Sequence, residues 1–184
     1  MATNGKTGIG GSTNTWNECW AMMITMSEAG TLDDLKVYGK GWRDVRLAIY
    51  NDDGSAPGST PAGASLVEDL GTVTYASNTP TWKTLASGSN PSLTNGNNYW
   101  LMAKSDTAQA TAYYDSSGSD FGAGAYQSAS RDPAAAYADP DAQSWSTTAW
   151  EVSLHAVYTA AAAAGGDGRP QPRGVERGVL RGVL

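Results

Sequence analysis

The stretch Val45–Gly58, VRLAIYNDDGSAPG, constrains the fold more than any other. In an extended chain successive side chains point to opposite faces. Val45, Leu47 and Ile49 therefore share one face, and Arg46, Ala48 and Tyr50 share the other. Asn51-Asp52-Asp53-Gly54 then breaks the strand, and Ala56-Pro57-Gly58 turns the chain again. These residue types supply the dihedral angles and local hydrogen bonds that turns need. A later run, Asn97–Lys104 (NNYWLMAK), reads as the companion strand.

The remaining runs extend the β reading. Trp16–Met26 (WNECWAMMITM) is apolar without alternation. That suits a strand buried on both faces or covered by a neighbour, although Met and Ala also form helices well. The Ala29-Gly30 turn and the following strand Thr31–Tyr38 favour the strand. Trp42–Tyr50, Ala64–Leu70, Thr72–Ala76 and Thr81–Ala86 follow, with Gly71 splitting the middle pair. Ala108–Asp115 is expected to form a hairpin with Asn98–Lys104 across Ser105-Asp106-Thr107. Trp145–Tyr158 is expected as the last strand. Gly118–Ala142 lacks a pattern and reads as a long excursion with little regular structure. No βαβ spacing occurs. Abundant Gly (22), Trp (7) and Tyr (9) fit short strands around an aromatic core.

The expected fold is all-β: a jelly-roll-like antiparallel β-sandwich over residues 16–159, with an extended N-terminal arm and a C-terminal tail. Residues 1–15 read as a flexible or partner-ordered arm, and 160–172 as an Ala/Gly/Pro linker. Residues 173–184 repeat a tetrapeptide: Arg-Gly-Val-Glu, Arg-Gly-Val-Leu, Arg-Gly-Val-Leu. Regular glycines disfavour an isolated helix. As a strand, the repeat places Arg173, Val175, Arg177, Val179, Arg181 and Val183 on one face, with Leu180 and Leu184 as anchors on the other. Such a tail gains by adding to a partner's sheet or by pairing with copies of itself. The alternative is a solubilising tail without fixed structure.

Charge narrows the partners. Of the formal charge of −6, the last twenty residues carry +2, from four Arg against Asp167 and Glu176, which leaves −8 on the rest. An acidic body argues against nucleic-acid binding by phosphate neutralisation. No apolar run reaches membrane-spanning length, and the polar, Gly-rich N-terminus does not resemble a secretory signal. The expectation is assembly in a cytoplasm, or export by another route, without membrane insertion. Cys19 is the single cysteine, so no internal disulfide framework exists.

Residue motifs for catalysis are weak. His155, the only histidine, has no nucleophile motif around it. Glu68, Asp69, Asp115 and Glu151 offer carboxylates for glycoside hydrolysis, but sequence does not pair them. The loops at 51–54 and 115–120 hold oxygen ligands suited to Ca²⁺, yet neither follows an EF-hand spacing, and Asp and Gly are also ordinary turn residues. The reading is no enzyme, no metal and no cofactor. Aromatics are the stronger lead, because Tyr and Trp rings stack on the apolar faces of sugars. Tyr113, Tyr114, Tyr126, Tyr137 and Trp145 cluster in or beside the irregular region and form the candidate glycan platform. Trp20, Trp100 and Trp150 are assigned to the core. The same platform residues can equally staple the long loop to the sandwich.

The pattern VRLAIYNDDGSAPGS, then TWKTL, then LTNGNNYWLMA, resembles modules of phage virion proteins and bacterial surface proteins. The similarity spans roughly Trp20–Lys104. It implies a jelly-roll, carbohydrate-binding-type sandwich and specifies no ligand residues. The expected role is a phage virion structural protein: a capsid decoration, head-fibre or tail-associated subunit. It would be attached to other virion proteins or its own copies through the tail, and would display the sandwich to host surface glycans. A free carbohydrate-binding module is the alternative, and a glycan-degrading enzyme comes third.

Overall fold

The computed structural model describes residues 1–15, 19–41, 43–52, 54, 60–105, 110–116, 124–127, 145–148 and 150–162. Every regular element among them is a strand: β1 (Ala2–Gly5), β2 (Ser12–Thr15), β3 (Cys19–Thr25), β4 (Gly30–Gly41), β5 (Asp44–Asn51), β6 (Ser65–Thr74) and β7 (Ser77–Ala86). The second half adds β8 (Ser92–Leu93), β9 (Asn98–Lys104), β10 (Ala110–Asp115), β11 (Gly124–Gln127), β12 (Trp145–Thr148), β13 (Glu151–Val152) and β14 (Leu154–Ala160).

They form two antiparallel sheets packed as a β-sandwich. In the larger sheet the long β4 is the spine, with β14 and β10 along one side and β7 and β8 along the other. β1 lies beyond β14, and β2 and β13 flank β10. The smaller sheet runs β12-β11-β3-β9-β5-β6. Within it β5 and β9 are direct partners, from Arg46 opposite Lys104 to Asn51 opposite Tyr99. Val45–Asn51 and Asn98–Lys104 thus lie on adjacent strands.

Alternation sorts their side chains as expected. Val45, Leu47 and Ile49 of β5 meet Leu35 and Val37 of β4 and Leu154 and Ala156 of β14 in the core between the sheets. Ala48 and Tyr50 point the opposite way, into a second cluster with Ala21, Met23, Ala64, Trp100 and Met102. The middle of the smaller sheet is therefore apolar on both faces, with Arg46, Asp69 and Lys104 towards one end of the outer face, and β3 shows no alternation: six of its seven residues are buried. Each such side chain adds roughly 1.5–3 kcal/mol by leaving water.

The structure corrects several expectations. β9 and β10 are not a hairpin; both edges of β9 are taken by β3 and β5, so the chain after Lys104 crosses to the larger sheet. There Ala110 and Ala112 fit against Gly41 and Gly39 of β4. Trp145–Tyr158 is three strands, because its first part joins β11 in the smaller sheet. The later break is at Ser153, whose carbonyl accepts from Tyr38 N–H while its own N–H donates to Tyr113. β6 runs unbroken through Gly71, whose φ of +91° accommodates a bulge opposite β5. Residues 1–15, read as a flexible or partner-ordered arm, find their partner in the chain's own larger sheet. β1 pairs with β14 and β2 with β10. β11 lies within the excursion expected to have little regular structure.

Candidate functional site

Val37 faces the core, so its neighbours Lys36 and Tyr38, and Lys40 beyond, face outward from β4. Residues directly opposite across a sheet share a face. Lys36 is opposite both His155 of β14 and Thr84 of β7, and Tyr38 is opposite Trp82. Tyr113 of β10 completes the row. Its ring meets Tyr38 edge-on at 5.0 Å and 72°, Tyr38 meets Trp82 at 5.3 Å, and Trp82 meets His155 edge-on at 4.8 Å. Edge-to-face contacts of this kind are favourable, because the positive ring edge meets a negative face, and they fix each ring against its neighbour.

The row borders an open groove of about 450 Å³ lined by Thr3, Thr7, Lys36, Trp82, Thr84 and His155. β1 forms one wall, and its closeness depends on Gly5. With φ of +110°, a side chain there would stand 2.8 Å from the Leu154 carbonyl oxygen. His155 is 7% exposed, and its Nδ1 is buried with no hydrogen-bond partner among the described residues. Burial, aided by the charge of Lys36, holds the imidazole below its ordinary 6.5, although the nearby Lys6 backbone favours the charged form. At neutral pH the groove therefore holds an uncharged imidazole beside a lysine.

The structure places the expected platform residues on different faces. Tyr113 and Tyr114 are consecutive on one strand and must point apart. Tyr113 joins the outer row. Tyr114 stacks on Trp150 at 4.4 Å, and Trp150 stacks on Trp20 at 5.1 Å, so Tyr114 belongs to an inner aromatic stack, apart from Tyr113. Trp145 packs against the second cluster, behind the smaller sheet. Tyr126 is placed by its backbone alone, on β11 opposite Trp20. Tyr137 lies outside the described residues, as do Arg173, Val175, Arg177, Val179, Leu180, Arg181, Val183 and Leu184 of the tail.

The four candidate carboxylates all have structural partners. Glu68 accepts from Ser87 Oγ and from the N–H groups of Gly88 and Ser89, closing the loop after β7. Burial alone would raise its pKa, but these bonds outweigh it and hold the carboxyl below its usual range. Asp69 receives Arg46 Nε at 2.9 Å and the Gly71 N–H. Asp115 and Glu151, opposite each other on β10 and β13, both meet Lys6 Nζ, at 2.5 and 3.6 Å. Asp115 also accepts from Gly11 N–H, so it fastens the N-terminal stretch twice.

The turn after β5 is a corner. Asp52 Oδ1 accepts from the indole N–H of Trp100 at 2.9 Å, and Oδ2 accepts from Gly54 N–H. Both oxygens are thus used, and no group of three metal-ligating side chains occurs among the described residues. Asp53 and Asp120 lie outside them. Cys19 is buried, which pushes its thiol up to about 12.

Sequence reasoning found Tyr113 and missed Lys36, Tyr38 and Trp82. The signal was present as a period-two pattern, Lys36-x-Tyr38-x-Lys40, on the outward positions of a strand whose inward positions are apolar. Comparison with protein-family models, with curated proteins and with solved structures finds no match to this chain.

Proposed function

We propose that this chain is a non-enzymatic virion structural subunit whose sandwich presents a glycan-binding face. The observation that carries the glycan reading is the Tyr113–Tyr38–Trp82–His155 row bordering the groove. A pyranose has an apolar C–H face that stacks on an aromatic ring, while its hydroxyls need donors and acceptors. Trp82 supplies the ring, and Thr3, Thr7 and Thr84 supply hydroxyls around it.

The engagement of Glu68, Asp69, Asp115 and Glu151 supports a binding role over hydrolysis. Glycoside cleavage needs two carboxyl groups able to exchange protons with substrate and water. Here each is committed to holding a loop, a strand or the N-terminal stretch. The virion context, and the jelly-roll type of the sandwich, rest on the resemblance of the Val45–Gly58 and Tyr99–Leu101 motifs. The Arg-Gly-Val tail supplies the attachment segment. Many weak sugar contacts repeated over a symmetric particle would give high avidity.

The test is a broad glycan panel probed with the full chain and with Trp82→Ala. Binding that the substitution abolishes supports the reading; no binding across the panel overturns it. Incorporation into particles that survives deletion of Arg173–Leu184 intact would refute attachment through the tail. Turnover of any polysaccharide, lost on one carboxylate substitution, would refute the non-enzymatic role.

A further inference from the structure

We infer that the groove on the larger sheet selects an anionic sugar, its carboxylate or sulfate held by Lys36 and Lys40 while the ring lies against Trp82 and Tyr38. This rests on the reading that the groove takes a sugar at all. Its basis is how the chain uses its cations. Among the described residues Lys6 is paired with Asp115 and Glu151, Arg46 is paired with Asp69, Lys83 sits over the Tyr75 ring, Lys104 is buried, and Arg43 is exposed just before β5, away from the aromatic row. Lys36 and Lys40 have no ion pair among the described residues, and both stand on the outer face of β4, on either side of Tyr38.

Neither lysine makes an ion pair or a side-chain hydrogen bond among the described residues, although both stand beside an aromatic row. Lys36 lines the groove itself, and Lys40, opposite Thr111 of β10, continues the cationic stripe towards Tyr113. The acidic residues of β4, Asp33 and Asp34, both precede Lys36, and Asp33 accepts from Thr159 Oγ1, so the stripe along β4 is positive only from Lys36 onward. A sugar bearing one anionic group matches this set. Its apolar face meets the rings, its anion meets an ammonium, and charge-assisted hydrogen bonds are the stronger kind.

The experiment measures binding of three probes to the full chain by titration calorimetry: a galacturonic acid trisaccharide, the neutral galactose trisaccharide and a sulfated galactose trisaccharide. The acidic probes are expected to bind about tenfold tighter than the neutral one, the scale of one hydrogen bond to a charged group. The advantage should shrink as salt is raised. It should vanish in Lys36→Gln/Lys40→Gln, which leaves the aromatic row in place and is checked for unchanged melting. The carboxylated and sulfated arms identify the anion. Equal binding of neutral and acidic probes, both lost in Trp82→Ala, overturns the charge selection and leaves the glycan reading standing. An acidic preference that survives in the double lysine variant also overturns it. Failure of every probe, together with a blank glycan panel, overturns the glycan reading and this inference with it.

Discussion

The two outward faces of the sandwich are built by the same alternation and end in opposite states. Behind the smaller sheet, Ala21, Met23, Ala48, Tyr50, Trp100 and Met102 are buried in a second apolar cluster. On the larger sheet the corresponding positions are Lys36, Tyr38, Lys40, Trp82 and Tyr113, which stay partly exposed. Aromatic content does not separate them, because both faces have a Trp and a Tyr. The companions do. Where Trp100 has Met and Ala around it, leaving water is favourable, and the charged Arg46 and Asp69 of that face pair with each other. Where Trp82 has Lys and Thr around it, sealing the face would strand charged and hydroxyl groups. Trp100 also spends its indole N–H on Asp52, whereas Tyr38, Trp82 and Tyr113 touch one another through their rings.

That contrast is open to attack. Trp100→Ala should cost about 3–5 kcal/mol in a urea unfolding titration, the usual loss for a large buried aromatic. A cost under about 1 kcal/mol would mean that the second cluster is not packed. Gly39 lies between Tyr38 and Lys40 and faces inward. Gly39→Ala would bring a methyl group 2.8 Å from the Thr111 carbonyl oxygen and 3.1 Å from the Tyr75 ring. The expected loss is about 1–3 kcal/mol, as for other overpacked sites. Trp82→Ala should cost less than Trp100→Ala while abolishing sugar binding, since a partly exposed ring has less to lose on truncation. If Trp82 proves as costly as Trp100, the two faces are not different in kind.

Smaller effects should appear in pH. The folded chain holds His155 below its ordinary 6.5, so beneath that pH the unfolded chain takes up a proton that the folded chain resists. Stability should therefore fall as pH drops from about 6.5 towards the folded value, and His155→Gln should flatten that segment of a melting-temperature profile. Asp115 is also held low, first by the hydrogen bond from Lys6 and then by Gly11 N–H. Its contribution is present above the ordinary value of 3.8 and is lost as pH falls through the lower folded value, so the two slopes occupy separate windows. Smallest of all, the Cys19 thiol, buried and pushed up to about 12, should resist a disulfide reagent until the chain unfolds. Rapid labelling of the native protein would show that β3 is not sealed.

Much of the fold was legible because burial leaves a periodic trace. Val45–Tyr50 alternates between two apolar sets, and Cys19–Thr25 does not alternate because both its faces are covered. The turn at Asn51–Gly54 was readable as a corner from its residue types, and the Asp52 bonds to Trp100 and Gly54 are the chemistry behind that reading. The candidate site was legible only in Tyr113. Tyr114 looked equivalent, since neighbours in sequence share composition but not a face. Strand pairing was the weakest part. Short connections suggested that β9 and β10 pair, but a strand has only two edges, and those of β9 were taken by segments distant in sequence.

The sequence by itself determined that this chain forms strands and which side chains of the central ones leave water, because those depend on local period and residue chemistry. Only the tertiary structure decided which strands meet. It joined Lys36, Tyr38, Trp82, Tyr113 and His155, scattered over four strands, into one face, and it drew the first fifteen residues into the sheet beside them. Those outcomes follow from long-range register and from which edges remain free, which no local pattern encodes.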